Sequence, residues 1–194
     1  ARLRLLAADE KCPAKHQFLA EFDDGTALIC TVQMYAGIAL FEDGRGEENP
    51  YYRAARLSPS PLGDGFTPGH LAALAAAAKP ALSAKGLLAT EQRIPGLGNG
   101  CAQDVLFAAG VHPRRRVASL GEVDLQRLHS AVTTVLRAMT AAGGRDTEKD
   151  LFDRPGAYRT VLSARTLAIP CPGCGGPIAR EAFLGGTIYF CAHC

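Results

Sequence analysis

Cys171-Pro172-Gly173-Cys174 and Cys191-Ala192-His193-Cys194 are two C-x2-C pairs separated by 16 residues. Each pair can set two thiolates on one tight turn. Two such turns facing each other across a β-hairpin supply the four sulfur ligands that structural zinc takes in a tetrahedron. The 24 residues from Cys171 to Cys194 hold too little apolar area to fold alone, so metal binding would supply much of their folding free energy. Disulfides or unligated thiols are the alternatives. A chain that reads as cytoplasmic, with Cys12, Cys30 and Cys101 scattered without pattern, favours one zinc ion. Four protein sulfurs leave no position for water, so the metal is expected to be structural and not catalytic.

A second group with chemical potential is Pro95-Gly96-Leu97-Gly98-Asn99. Gly96 and Gly98 carry no side chain, so their amides can approach a phosphate closely at the positive end of a helix beginning near Asn99, whose amide can also donate. Taken alone, the run reads equally as a Gly-rich turn. Charge adds a direction. Residues 1–67 hold 7 basic and 10 acidic residues, whereas residues 92–145 hold 7 arginines against 3 acids. The cationic middle, with Arg93, Arg114, Arg115, Arg116 and Arg145, suits a polyanion; an ordinary solvated face is the alternative.

These groups need elements to position them. His16–Phe22 and Thr26–Val32, joined by Asp23-Asp24-Gly25, read as a β-hairpin, and Gly37–Phe41 as another short strand. The Gly-, Pro-, Asn- and Ser-rich stretch 44–65 reads as a connector to a helical part starting near Phe66. Thr67-Pro68 opens a helix that Pro80 ends, Ser83–Gln92 is a second, and Asn99 caps a third that closes at Gly110. From Glu122 to Ala141, apolar residues recur at spacings of three and four until Gly143-Gly144. Residues 146–160 read as a mobile loop. With 47% hydrophobic and 21% charged residues, the 194-residue chain is a folded protein. It has neither a signal peptide pattern nor an apolar run approaching the roughly 20 residues of a membrane span. Arg2–Leu6 is strand-like from the outset, so the chain reads as a fragment.

Glu91-Gln92-Arg93-Ile94-Pro95-Gly96-Leu97-Gly98-Asn99-Gly100, continuing through Asp104-Val105-Leu106-Phe107 and Gly110-Val111-His112-Pro113, resembles the helix-two-turn-helix of the formamidopyrimidine-DNA glycosylase and endonuclease VIII family. The four cysteines lie where that family keeps its zinc hairpin. Asn49-Pro50 through Leu57 to Pro61-Leu62-Gly63-Asp64 is similar to its exit from a β-sandwich. Among sub-branches, the bacterial endonuclease VIII-like one is most similar.

The resemblance implies an α+β chain: a partial N-terminal β-sandwich (1–66), a helix-two-turn-helix domain (67–166) and a zinc β-hairpin (167–194). It implies that Lys85 and Asn99, with Gly96 and Gly98, hold DNA phosphates. Arg145, Asp146 and the loop to Tyr158 fall at the family's lesion-recognition loop; the plainer readings are an exposed helix charge for Lys85 and a simple connector for the loop.

The family nucleophile is an N-terminal proline amine followed by a glutamate, with a lysine on a later strand. None is found in this sequence, and Lys15 aligns with a different strand. No catalytic residue is therefore assigned, and the chain alone is expected to be inactive. Where many relatives carry an arginine pair before Phe-Gly, this chain reads Val32-Gln33-Met34-Tyr35-Ala36-Gly37, so Met34 or Tyr35 would be a wedge or a packing residue. Where many present a hairpin arginine, it has Gly185-Gly186.

The expected parent protein is a DNA repair glycosylase with abasic-site lyase activity, cytoplasmic and monomeric, acting on duplex DNA with a damaged or abasic site. The rival readings are a non-catalytic zinc-containing DNA-binding module and a zinc-stabilised protein-interaction domain.

Overall fold

Two C-x2-C turns, a capped series of helices and a short hairpin each form where their residues predict, in a computed structural model that describes residues 2–32 and 37–194. The stretch proposed to carry a wedge, Met34 and Tyr35, lies outside the described residues, as does Ala1. The chain is α+β, and its contacts divide it into two compact units: residues 1–45 with 142–159, and residues 46–141 with 160–194.

In the first unit, β1 (Arg2–Leu6), β2 (Phe18–Glu21) and β3 (Ala27–Thr31) form an antiparallel sheet of order β1-β3-β2. The hairpin turn is closed by Asp24, whose carboxylate accepts from both the backbone N–H and the hydroxyl of Thr26. Register places Leu3, Leu5, Phe18, Ala20, Leu28 and Cys30 on one face. The strand expected at Gly37–Phe41 is instead irregular, largely exposed chain that does not join the β1-β3-β2 sheet.

Residues 146–158, expected to be a loose loop, are folded back on themselves. Asp146 N–H donates to Tyr158 O, Tyr158 N–H to Gly144 O and Gly156 N–H to Glu148 O. Asp150 closes the tip by accepting from the amides of Phe152 and Arg154. Leu5 N–H then donates to Leu151 O, which covers the outer edge of β1. The fold-back depends on Gly156, where a Cβ would stand 2.1 Å from the backbone of Gly144. Gly156→Ala is therefore expected to destabilise this unit by about 3 kcal/mol, measurable as a lowered midpoint in urea unfolding.

The second unit is helical. The connector hides a helix, α1 (Pro50–Leu57), whose Asn49 cap accepts from Tyr51 and Tyr52 amides ahead of a proline at the first helical position. α2 (Pro68–Ala77) is capped by Thr67 and α3 (Ala84–Ala89) by Ser83. α4 (Asn99–Ala109) ends on Gly110 in the left-handed conformation, φ 65°. α5 (Glu122–Ala141) keeps its sequence-derived limits and buries Leu128, Val132, Val135 and Met139. α4 and α5 pack against each other around Leu106, Val105 and Leu128. Phe66, at the start of this unit, stacks on His129 of α5, which also bonds the Phe66 carbonyl at 2.7 Å.

The chain ends in the antiparallel hairpin of β4 (Ile178–Phe183) and β5 (Gly186–Cys191). Its two-residue turn, Leu184-Gly185, has φ of 49° and 71°, as a tight type I′ hairpin turn requires.

Candidate metal centre and nucleic-acid interface

The four cysteine sulfurs of Cys171, Cys174, Cys191 and Cys194 all lie within 4.8 Å of one another. Cys171 and Cys194 are 3.5 Å apart, and Cys174 and Cys191 are 3.4 Å apart. A disulfide needs about 2.05 Å, whereas a tetrahedron with zinc–sulfur bonds of about 2.3 Å has edges of about 3.8 Å. The donor set fits such a metal. Backbone N–H groups of Gly176 and His193 point at the sulfurs of Cys174 and Cys191, which stabilises thiolate over thiol. Without a metal the protons are shared unevenly. Burial pushes the Cys171 thiol up, but the amides of Cys174 and Gly173 and the neighbouring thiols outweigh it and bring it to about 7. Cys194, beside Cys174 and Cys171, is pushed up to about 12. Metal binding must displace such protons, so affinity falls with acidification.

The sulfur cluster is tied to the helices by a small core in which Phe107 of α4 packs against Cys171, Ile178, Cys191 and Leu162. Asp104, one residue from Gln103 and 1% exposed, accepts the amides of Val161 and Leu162 at 3.0 and 2.8 Å. It thereby anchors the segment leading into the hairpin.

Lys85 and Asn99 meet at the hairpin tip. Lys85 is 2% exposed, so it is not a solvated helix charge. Its ammonium donates to the Phe183 carbonyl and lies 5.6 Å from the centre of that ring. Burial lowers its pKa from the ordinary lysine value. Asn99 Nδ2 donates to Thr187 O at 3.0 Å, on the facing strand of the same hairpin. Asn99 is not the cap expected from sequence. Gly98 occupies the cap position without a side-chain bond, and Asn99 is the first helical residue. Its side chain is drawn sideways to the hairpin instead of capping the helix. Gly186 explains part of this geometry: a Cβ there would sit 3.4 Å from Asn99 Nδ2, so a larger residue would press on the amide.

Gly96 and Gly98 are exposed, and a Cβ on either would meet nothing within 4 Å. Gly96 has φ +76°, which favours glycine, and its N–H reaches Gln92 Oε1 at 3.4 Å. Gly98, at φ −90° and ψ 172°, has no such need.

Several of the arginines that make the middle of the chain cationic have internal partners. Arg93 caps the end of α3 through the carbonyls of Gly86 and Thr90. Arg115 holds both oxygens of Asp124. Arg114 bonds Glu181 at 2.7 Å and lies 4.1 Å over the Phe183 ring.

Arg145 and Tyr158 belong to the first compact unit and the other site residues to the second. The backbones of Arg145 and Tyr158 bridge each other. Arg145 is 7% exposed and pairs with Glu148, while its Nε is buried with no hydrogen-bond partner among the described residues.

Residues 57–150 match the formamidopyrimidine-DNA glycosylase H2TH domain. The formamidopyrimidine-DNA glycosylase of Halorhodospira halophila is 32% identical over 193 residues, which are 97% of this chain and 69% of that protein. That of Thermus thermophilus is 32% identical over 162 residues, 80% of this chain and 59% of that protein. This chain thus spans about three fifths to two thirds of these relatives. Among solved structures, the MutM (Fpg) protein from Thermus thermophilus superposes with a TM-score of 0.76 at 26% identity, covering 94% of this chain and 69% of that one. The Lactococcus lactis Fpg in complex with DNA containing an abasic site shares the fold, with a TM-score of 0.78 at 21% identity over 97% of this chain and 69% of that one. On the domain match and on 32% identity over nearly the whole chain and 69% of the Halorhodospira halophila relative, the chain belongs to the formamidopyrimidine-DNA glycosylase family.

Proposed function

We propose that this chain is the DNA-gripping part of a base-excision repair enzyme, a bifunctional DNA glycosylase and abasic-site lyase. The observation that carries the reading is Lys85. A buried ammonium whose hydrogen-bond partner is a neutral carbonyl is stabilised by an anion brought beside it. The second Nδ2 proton of Asn99 and the positive end of the α4 dipole add to the attraction, and a backbone phosphate of duplex DNA fits that set. Gly96 and Gly98 keep the approach open. Arg145 and Tyr158 act at the lesion side, a role that requires Arg145, buried and paired with Glu148, to leave that pair.

One structural zinc ion held by Cys171, Cys174, Cys191 and Cys194 completes the hairpin that Lys85 and Asn99 contact. In the parent enzyme, an amine attacks the sugar C1′, the base leaves, an imine forms and the strand is cleaved by elimination. No residue of this chain is assigned that amine. The working segments are 1–66, 67–166 and 167–194, in a cytoplasmic monomer. Within the family, the endonuclease VIII-like sub-branch is the one proposed, while the relatives named above carry the formamidopyrimidine name.

Two measurements test this. Gly98→Ala should lower stability by no more than about 1 kcal/mol, the cost of alanine at a helix cap, because its backbone conformation suits any residue and its Cβ meets open space. It should nevertheless weaken duplex binding about tenfold by holding the phosphate off the amides. Unchanged affinity would remove the glycine turn from the interface. Borohydride treatment of the zinc-loaded chain on a duplex with one abasic site should give tight binding without a covalent adduct. An adduct would place a nucleophilic amine within the chain.

A further inference from the structure

α4 carries a row of residues four apart, Asn99, Gln103 and Phe107, and β5 a row two apart, Thr187, Tyr189 and Cys191. The two rows meet one to one. Asn99 Nδ2 donates to Thr187 O at 3.0 Å, Gln103 Oε1 accepts from Tyr189 N–H at 2.6 Å, and Phe107 packs on the core containing Cys191. The match is metric. Four residues of helix rise about 6.0 Å and two residues of strand about 6.8 Å, so three contacts stay aligned before the periods drift apart. Thr187 and Tyr189 present these backbone groups on the edge of β5 away from β4, which amide side chains of a helix therefore cover. Gln103 is the middle rung and is 7% exposed. Its oxygen must face Tyr189 because a backbone N–H only donates.

We infer that Gln103 is a positioning residue: by accepting the Tyr189 amide it fixes the register between α4 and the metal hairpin, and so sets Asn99 and the hairpin tip for phosphate binding. The inference rests on the DNA reading above but makes a separate claim about the chain itself. The role needs only an acceptor at Oε1. Glutamate supplies one, whereas leucine has nearly the same shape and none. A leucine there leaves the Tyr189 N–H buried without a partner and frees β5 to slide along α4.

The test uses the zinc-loaded 194-residue chain and its Gln103→Leu and Gln103→Glu variants, with three readouts: duplex affinity, hydrogen exchange of the Tyr189 amide, and the rate of zinc release to a chelator. Gln103→Leu should lose about tenfold in duplex affinity, lose Tyr189 protection and release zinc faster, while Gln103→Glu stays near wild type in all three. The pattern of rescue separates positioning from bulk stability, which glutamate, a charged residue in a buried place, would not restore. Equal loss in both variants, or no change in Gln103→Leu, would overturn the inference. If the wild-type chain fails to bind duplex, the DNA reading falls. Tyr189 exchange and zinc release then decide the register claim, and equal rates in wild type and Gln103→Leu refute it.

Discussion

Removal of the metal by a strong chelator, or Cys191→Ser, is expected to lower duplex affinity by about a hundredfold while circular dichroism shows the helices intact. The magnitude follows from what rests on the hairpin. Lys85 donates to Phe183 O and Asn99 to Thr187 O, so a hairpin without metal releases at once the two donors proposed to hold phosphates. Hydrogen bonds to charged groups are worth about 1.5–3 kcal/mol each, near the 1.4 kcal/mol of a tenfold change. The helices persist because α4 and α5 pack on each other and bury Val105, Leu128 and Val132. Cys191 is the most informative substitution, since its sulfur belongs both to the donor set and to the core under Phe107. A chain that keeps full affinity without metal, or that contains none when purified in zinc, would contradict the metal assignment.

The second large effect is expected at Asp104. Its two oxygens accept the amides of Val161 and Leu162 in a site 1% exposed. Asp104→Ala strands two donors and leaves a void, a loss of about 3–5 kcal/mol. For a chain of this length that is a fall of about 10 °C in Tm. Asp104→Asn keeps one acceptor oxygen but turns an NH2 toward the other amide, so it should fall between alanine and wild type. Thermal melting in the presence of zinc separates this effect from metal loss. Equal stability of Asp104→Ala and wild type would show that the Val161–Leu162 turn holds itself.

Much of this was legible in the sequence where local chemistry decides it. Thr67-Pro68, Gly110 and the apolar spacing from Leu125 to Met139 set helix limits through capping and periodicity, and those limits survive in the fold. The two C-x2-C pairs announced a four-sulfur site because the spacing itself is the geometry. The helix from Pro50 was hidden by the glycines and prolines around it, although Asn49-Pro50 is a helix start. Gly37–Phe41 has strand composition, yet the chain there joins neither edge strand of the sheet, which composition alone does not reveal. Asn99 looked like a cap by residue type, but the bond it makes is to Thr187, 88 residues away. Gln103 and Asp104 read as ordinary polar residues on a helix. The signal available was the four-residue row of Asn99, Gln103 and Phe107, and it acquires meaning only beside a strand of matching repeat. The arginine count overstated the free positive charge, since Arg93 and Arg115 are held by internal carbonyls and by Asp124.

The most direct test of phosphate binding at Lys85 is the salt dependence of duplex binding by the zinc-loaded chain, wild type against Lys85→Ala. Each neutralised phosphate contributes about 0.9 to the slope of log affinity against log salt. A steep negative slope is expected for wild type, and for Lys85→Ala a weaker affinity with a slope shallower by about one unit. Binding that ignores salt, or a slope that Lys85→Ala leaves unchanged, would contradict the assignment of the buried ammonium to a DNA phosphate.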